Sequence, residues 1–250
     1  MNRFICIICV CALAAVAQVS APRIGVAADG AGRLRPIAGV AGNLIPGAPV
    51  ATGVVSSAAS DVAIVAKTRS EILVIQDNKA ARTPAPEGSA LFAFSDDGEP
   101  AFAWLTQTHT LLEWTGTGFT ARAIELAAIS GDVVAIGASD ATHVIFAVNR
   151  SGMIEVLRAG LSDGATSAVT SLPSGASAPL LEADGSVVYA MPNDLVLRDG
   201  AGDERHIAFH GAVASITPMS SRWLQVVTDN GHRYAARLSD GAVFRVPEVK

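Results

Sequence analysis

The chain has 250 residues, half of them apolar and 16% charged, with a formal charge of -5 spread along it in no blocks. That content can bury a sizeable core, in one all-β domain or two smaller domains. It provides no basic stripe to neutralise phosphates, which argues against a nucleic-acid partner, and its Ala, Val, Gly and Ser favour short, closely packed strands.

The opening MNRFICIICVCALAAVAQ places Arg3 before an unbroken apolar run, Phe4 to Ala17, that closes on the small-x-small triplet Ala15, Val16, Ala17. This is the layout of a secretory signal peptide over residues 1–17, cut before Gln18. The alternative is an uncleaved anchor, but the apolar run is short for spanning a bilayer. Cys6, Cys9 and Cys11 all lie in this segment. The mature chain is therefore expected to lack disulfides, thiolate nucleophiles and Cys-based metal sites. The expected location is secreted, periplasmic or extracellular, with no stable membrane insertion after cleavage.

Residues 18–32 are small and polar and read as a linker. Residues 33–53, RLRPIAGVAGNLIPGAPVATG, fit no repeat and read as a segment that adds a strand to close a ring. From Val54 onward the chain repeats. Five apolar runs start at Val62, Ala101, His143, Ser186 and Trp223, and each is followed by a second run. The second runs start at Glu71, Leu111, Met153, Asp194 and Arg233, spacings of 40, 42, 41 and 39 residues. A short run precedes each pair (VVSSAAS, SALFAFS, VVAIGAS, APLLEA, VASITPM), and another follows most of them. Four β-branched or aromatic runs per unit of about 40 residues, divided by Gly, Asp, Asn and Ser, predict an all-β, five-bladed β-propeller. Its units are expected at 54–86, 87–130, 131–173, 174–211 and 212–250. A flat sandwich is the alternative.

LEADGSVVYAMPND (Leu181 to Asp194) and FSDDGEPAFAWLTQ (Phe94 to Gln107) resemble the repeat of secreted bacterial β-propellers of the YVTN and WD40-like type. Ala183 and Asp96 stand where that repeat has proline. The resemblance covers residues 54–250 and implies a binding or assembly surface; the fold alone implies no activity.

The turns between first and second strands carry Asp61, Asp97, Asp140 and Asp184, with Ser221 in the last unit. Asp at such a position accepts backbone N–H bonds, so these residues read as punctuation spread around a ring. By the same reasoning, Asp184, Asp194 and Asp199 are split between the two faces. There is no D-x-D-x-D-G string, HExxH or GxSxG, and His206 and His210 on a strand stand about 13 Å apart. No catalytic residue, metal site or cofactor is assigned. Trp104, Trp114 and Trp223 read as packing between blades.

The turns between second and third strands read KTRS, QTHT, NRSG, PND and DNGH. In a propeller they share one face. Arg69, His109, Asn149, Arg150, Asn193, Asp194, Asp229, Asn230 and His232 form the expected ligand-binding ring, joined by Lys67 and Gln107. The expected function is a secreted, non-catalytic scaffold that binds a protein, a cell-envelope component or a carbohydrate. The alternative is a glycan-active hydrolase or lyase with converging carboxylates on the central axis.

Overall fold

The computed structural model describes residues 21–248 except 41, 78, 123–128, 141, 183 and 210. The signal peptide expected at 1–17, its cleavage site, the three cysteines and His210 lie outside the described residues. Among those described, 23 strands form six sheets. The ring therefore has six blades, not the five expected.

Blade 1 is three-stranded: β1 (Arg23–Ala28), β2 (Leu34–Val40) and β3 (Asn43–Pro46). The other five are four-stranded meanders. Blade 2 holds β4 (Val54–Ala59), β5 (Ala63–Thr68), β6 (Glu71–Gln76) and β7 (Lys79–Pro84). Blade 3 holds β8 (Ala90–Phe94), β9 (Pro100–Leu105), β10 (Thr110–Trp114) and β11 (Phe119–Arg122). Blade 4 holds β12 (Asp132–Asp140), β13 (His143–Arg150), β14 (Met153–Gly160) and β15 (Thr166–Ser171). Blade 5 holds β16 (Ser177–Leu181), β17 (Val187–Met191), β18 (Asp194–Arg198) and β19 (Glu204–Ala208). Blade 6 holds β20 (Val213–Ser220), β21 (Trp223–Thr228), β22 (Arg233–Arg237) and β23 (Val243–Arg245).

The core is a circle of six wedges, one between each pair of neighbouring blades. Phe102, Trp104, Val144 and Phe146 fill the wedge between blades 3 and 4; Leu181, Tyr189, Val156 and Leu172 fill the next. Inner strands such as β13 bury residues on both faces, because each face meets another blade. Outer strands such as β15 leave most side chains in water.

Two expectations for the N-terminal part are corrected. Arg23–Ala28, read as linker, is a strand with four consecutive buried residues. The segment 33–53, expected to lend one strand to another blade, instead builds β2 and β3 of a separate blade. Blade 1 also runs differently from the rest. The hydroxyl of Ser220, at the end of β20, donates to the Ile24 carbonyl near the start of β1 (2.9 Å). The Gln225 carboxamide, on β21, meets Ala28 at the end of β1. Hence β1 runs opposite to β20, and blade 1 has the second, third and fourth strands of a blade without the innermost one. The inner strands β20 and β4 accordingly touch each other as well as β1. At their far ends the Ser221 hydroxyl donates to the Asp61 carboxylate, directly from blade 6 to blade 2.

Five inner strands thus surround the axis, while six blades form the ring. β1 presses so close to blade 6 that a Cβ on Gly25 would sit 2.3 Å from the Met219 carbonyl oxygen. Only glycine fits there. The edge of β1 left open by the missing strand is closed by side chains: Gln225 Nε2 donates to the Ala28 carbonyl (2.8 Å), and the Ala28 N–H donates to Gln225 Oε1 (3.3 Å). A strand edge capped in this way offers no template for another chain.

Candidate functional site

The nine residues expected to bind ligand all stand on the face that carries the turns between second and third strands, here called the upper face. The turns place them by ordinary backbone chemistry. Ser151 and Gly152 both take positive φ (54° and 89°), giving the two-residue hairpin that holds Asn149 and Arg150 at the strand end. Asn149 Oδ1 accepts the Gly152 N–H (2.9 Å). Asn230 Oδ1 accepts the Thr228 hydroxyl (2.6 Å) and the His232 N–H (3.3 Å).

Side-chain commitments divide the nine. Arg150 is anchored, donating to the Ser130 carbonyl (2.8 Å) and to Glu155 (2.6 Å). Arg69 reaches Glu87 (2.7 Å) in an ion pair that is mostly in water, which screens it. His109 is exposed and stacks on the buried Trp104 ring, with centroids 6.0 Å apart. Asp194 lies 3.4 Å from His206, and His232 lies 3.0 Å from Arg245. Asn193 and Asp229 are exposed at their turns. Lys67, which joins the ring by residue type, does not reach the surface. It is fully buried, and its ammonium donates to the Thr68 (2.5 Å) and Arg69 (3.4 Å) carbonyls. Burial pushes its pKa down, against an opposing pull from Glu87.

A central cavity of about 730 Å³ opens on this face. Of the nine residues, only Asn149 lines it; the others stand farther out. Its wall is set mainly by the upper ends of the inner strands, where Ser56, Ser57, Ser89, Ser177, Ser215 and Thr217 give it a hydroxyl lining. Sequence reasoning passed over these residues. The signal was present in VVSSAAS, SALFAFS and VASITPM, but in VVSSAAS and VASITPM which side chains turn inward depends on register breaks, and Ser89 stands just ahead of β8. Every inner strand of blades 2 to 6 has such a break against its neighbour, at Val54/Ser56, Val133/Ala135 and Val213/Ser215 among others.

Among the described residues, Asp29 is the one carboxylate of this lining. Burial opposes its ionisation, but the Arg33 N–H and the Arg35 and Arg33 guanidiniums outweigh burial and hold the pKa at about 2.

The turn aspartates of the lower face form one repeated device. Asp97, Asp140 and Asp184 each accept the N–H two residues on, at 3.2, 2.7 and 2.8 Å, and Asp199 accepts from Ala201 and Asp203 (both 2.9 Å). Asp140 is held well below the ordinary carboxylate range by the Thr142 hydroxyl first, then by His143 and the Thr142 N–H. No group of His, Cys, Asp or Glu among the described residues has metal-binding geometry. No helix among them is long and apolar enough to cross a membrane.

No protein-family model matches the sequence, and no curated protein matches it. Solved structures do. TolB from Acinetobacter baumannii is similar with a TM-score of 0.61 and 15% identity, over 92% of this chain and 65% of that one. The likeness is one of fold. This chain thus spans just under two thirds of the TolB chain. Virginiamycin B lyase from Staphylococcus aureus has a TM-score of 0.48 and 15% identity, covering 94% and 87% of the two chains. PorZ, described as a bacterial surface component of the type-IX secretion system of Porphyromonas gingivalis, has a TM-score of 0.49 and 12% identity, covering 92% and 39%.

Proposed function

We propose that the protein is an exported, non-catalytic propeller that captures a protein, envelope component or carbohydrate on its upper face. The observation that carries this reading is the concentric arrangement there. An outer ring of polar turns holding Arg69, His109, Asn193 and His232 surrounds a cavity of about 730 Å³ in which the hydroxyls of Ser56, Ser57, Ser89, Ser177, Ser215 and Thr217 stand among apolar side chains. Hydroxyls and turn amides suit a polar, largely uncharged ligand, whose groups they can satisfy without burying a charge. The apolar, signal-like N-terminus supports export to the periplasm or beyond.

The test is retention of the chain on defined glycan arrays, purified peptidoglycan and isolated envelope proteins. A variant changing Arg69, His109, Arg150 and His232 jointly to Ala is run beside it. The reading predicts retention on at least one of these probes and about tenfold weaker retention of the variant. Retention that is unchanged in the variant would overturn it.

A further inference from the structure

The opposite mouth of the channel is built on different chemistry. A groove of about 570 Å³ there has an apolar floor that includes Phe92, Phe94, Leu180, Val188 and Leu238. Its rim carries six carboxylates, Asp96, Glu182, Asp184, Asp199, Asp203 and Glu204, against two guanidiniums, Arg198 and Arg205. Both guanidiniums are already engaged. Arg198 Nε donates to Glu204 (2.8 Å), and Arg205 donates to the Ser239 (2.9 Å) and Leu238 carbonyls. The side chains of Glu182, Asp96 and Asp203 are different, because they hold no hydrogen bond or ion pair among the described residues. The Glu182 carboxyl is pushed up by burial first and by Asp184 second.

The groove is also long. It runs from Ser60 and Gly98 on blades 2 and 3, across the axis, to Asp203 and Glu204 beside the outermost strand of blade 5. The blade 5 part alone crosses three strand spacings, about 14 Å. That length is four residues of extended chain at about 3.3 Å each.

We propose that this lower groove docks an extended segment of a partner polypeptide in which apolar residues alternate with Lys or Arg. The apolar floor takes aliphatic or aromatic side chains. Covering Glu182 and Asp96 with a neutral or acidic segment would strip water from two carboxylates without compensation, so the occupant must bring cations. The groove meets the upper cavity at Phe92, Leu180 and Pro218, but its rim includes none of the upper-face turn residues, and its test distinguishes the two.

Fluorescence anisotropy with the full chain and a labelled Leu-Lys-Leu-Arg-Leu peptide reads the proposal, with Leu-Glu-Leu-Glu-Leu as control. The basic peptide is expected to bind at least about tenfold more tightly than the control, and to weaken as salt rises. Glu182→Gln with Asp96→Asn is expected to cost about tenfold in affinity; both changes are isosteric and remove no hydrogen bond. The joint upper-face variant is expected to bind the basic peptide unchanged. Equal binding of both peptides, no binding of either, or affinity unaffected by the Glu182/Asp96 change would overturn the proposal. The comparison of peptides and salt on the unaltered chain decides the matter even if the double variant misfolds.

Discussion

Gln225 is buried on β21, and its carboxamide faces both the N–H and the carbonyl of Ala28. Replacing it with Leu keeps the bulk and removes both partners. The Ala28 carbonyl would keep the Arg233 Nε donor at 3.1 Å, so the N–H is the group left without a partner. Gln225→Leu is therefore expected to cost about 2 kcal/mol in chemical denaturation. A second residue-scale prediction concerns acid. The folded pKa of Asp29, about 2, lies below its ordinary value of 3.8. A depressed carboxylate contributes stability above its unfolded pKa and loses it as pH falls through the folded one. The stability advantage of the unaltered chain over Asp29→Asn should thus be full above pH about 5 and shrink progressively to its minimum by pH about 1. Denaturation midpoints of the two proteins across that window measure it; a gap that stays constant with pH would contradict the assignment.

At the scale of elements, the five regular blades were legible because most first-to-second strand turns carry a residue with a mechanism. At Asp61 the expectation is corrected: Ser60 Oγ accepts the Val62 and Ala63 N–H groups, and Asp61 accepts from Ser221 of blade 6. Asp97, Asp140 and Asp184 do bind the N–H groups that the turn reading required of them. Blade 1 was not legible. Its inner strand is RIGVAA, whose Gly25 and small neighbours weaken any strand signal, and β2 carries Pro36 and Gly39. With three strands in place of four, it also falls outside the 40-residue period. Burial of these residues comes from packing against blade 6 on one side and blade 2 on the other, which no local pattern encodes. The close approach to blade 6 predicts a steep penalty at one position. Gly25→Ala drives a methyl against the Met219 backbone, which cannot rotate away, and should cost about 1–3 kcal/mol. Removal of residues before Val54 would strip the wedges on both sides of blade 1, where Ile37 and Leu34 lie buried. The shortened chain is expected to lose a single cooperative thermal transition; one that keeps it would show that blade 1 does not close the ring.

Across the whole molecule, the turn residues of the upper face were legible by type and spacing, yet the cavity between them was not. Ser56, Ser177 and Ser215 of its lining stand where inner strands break register, and Lys67, a residue expected outside, spends its ammonium on turn carbonyls inside. Both mouths carry apolar side chains and differ in the polar groups among them, hydroxyls above and carboxylates below. The central functional claim is that capture takes place on the upper face. Site-specific photo-crosslinking tests it most directly, with the reactive group placed at His109 or Asn193 above and at the exposed Val169 on the outer edge of blade 4 as reference. In cells that export the chain, the account predicts an adduct of one defined mass from both upper positions and none from Val169. Adducts from Val169 alone, or equally from all three positions, would contradict it.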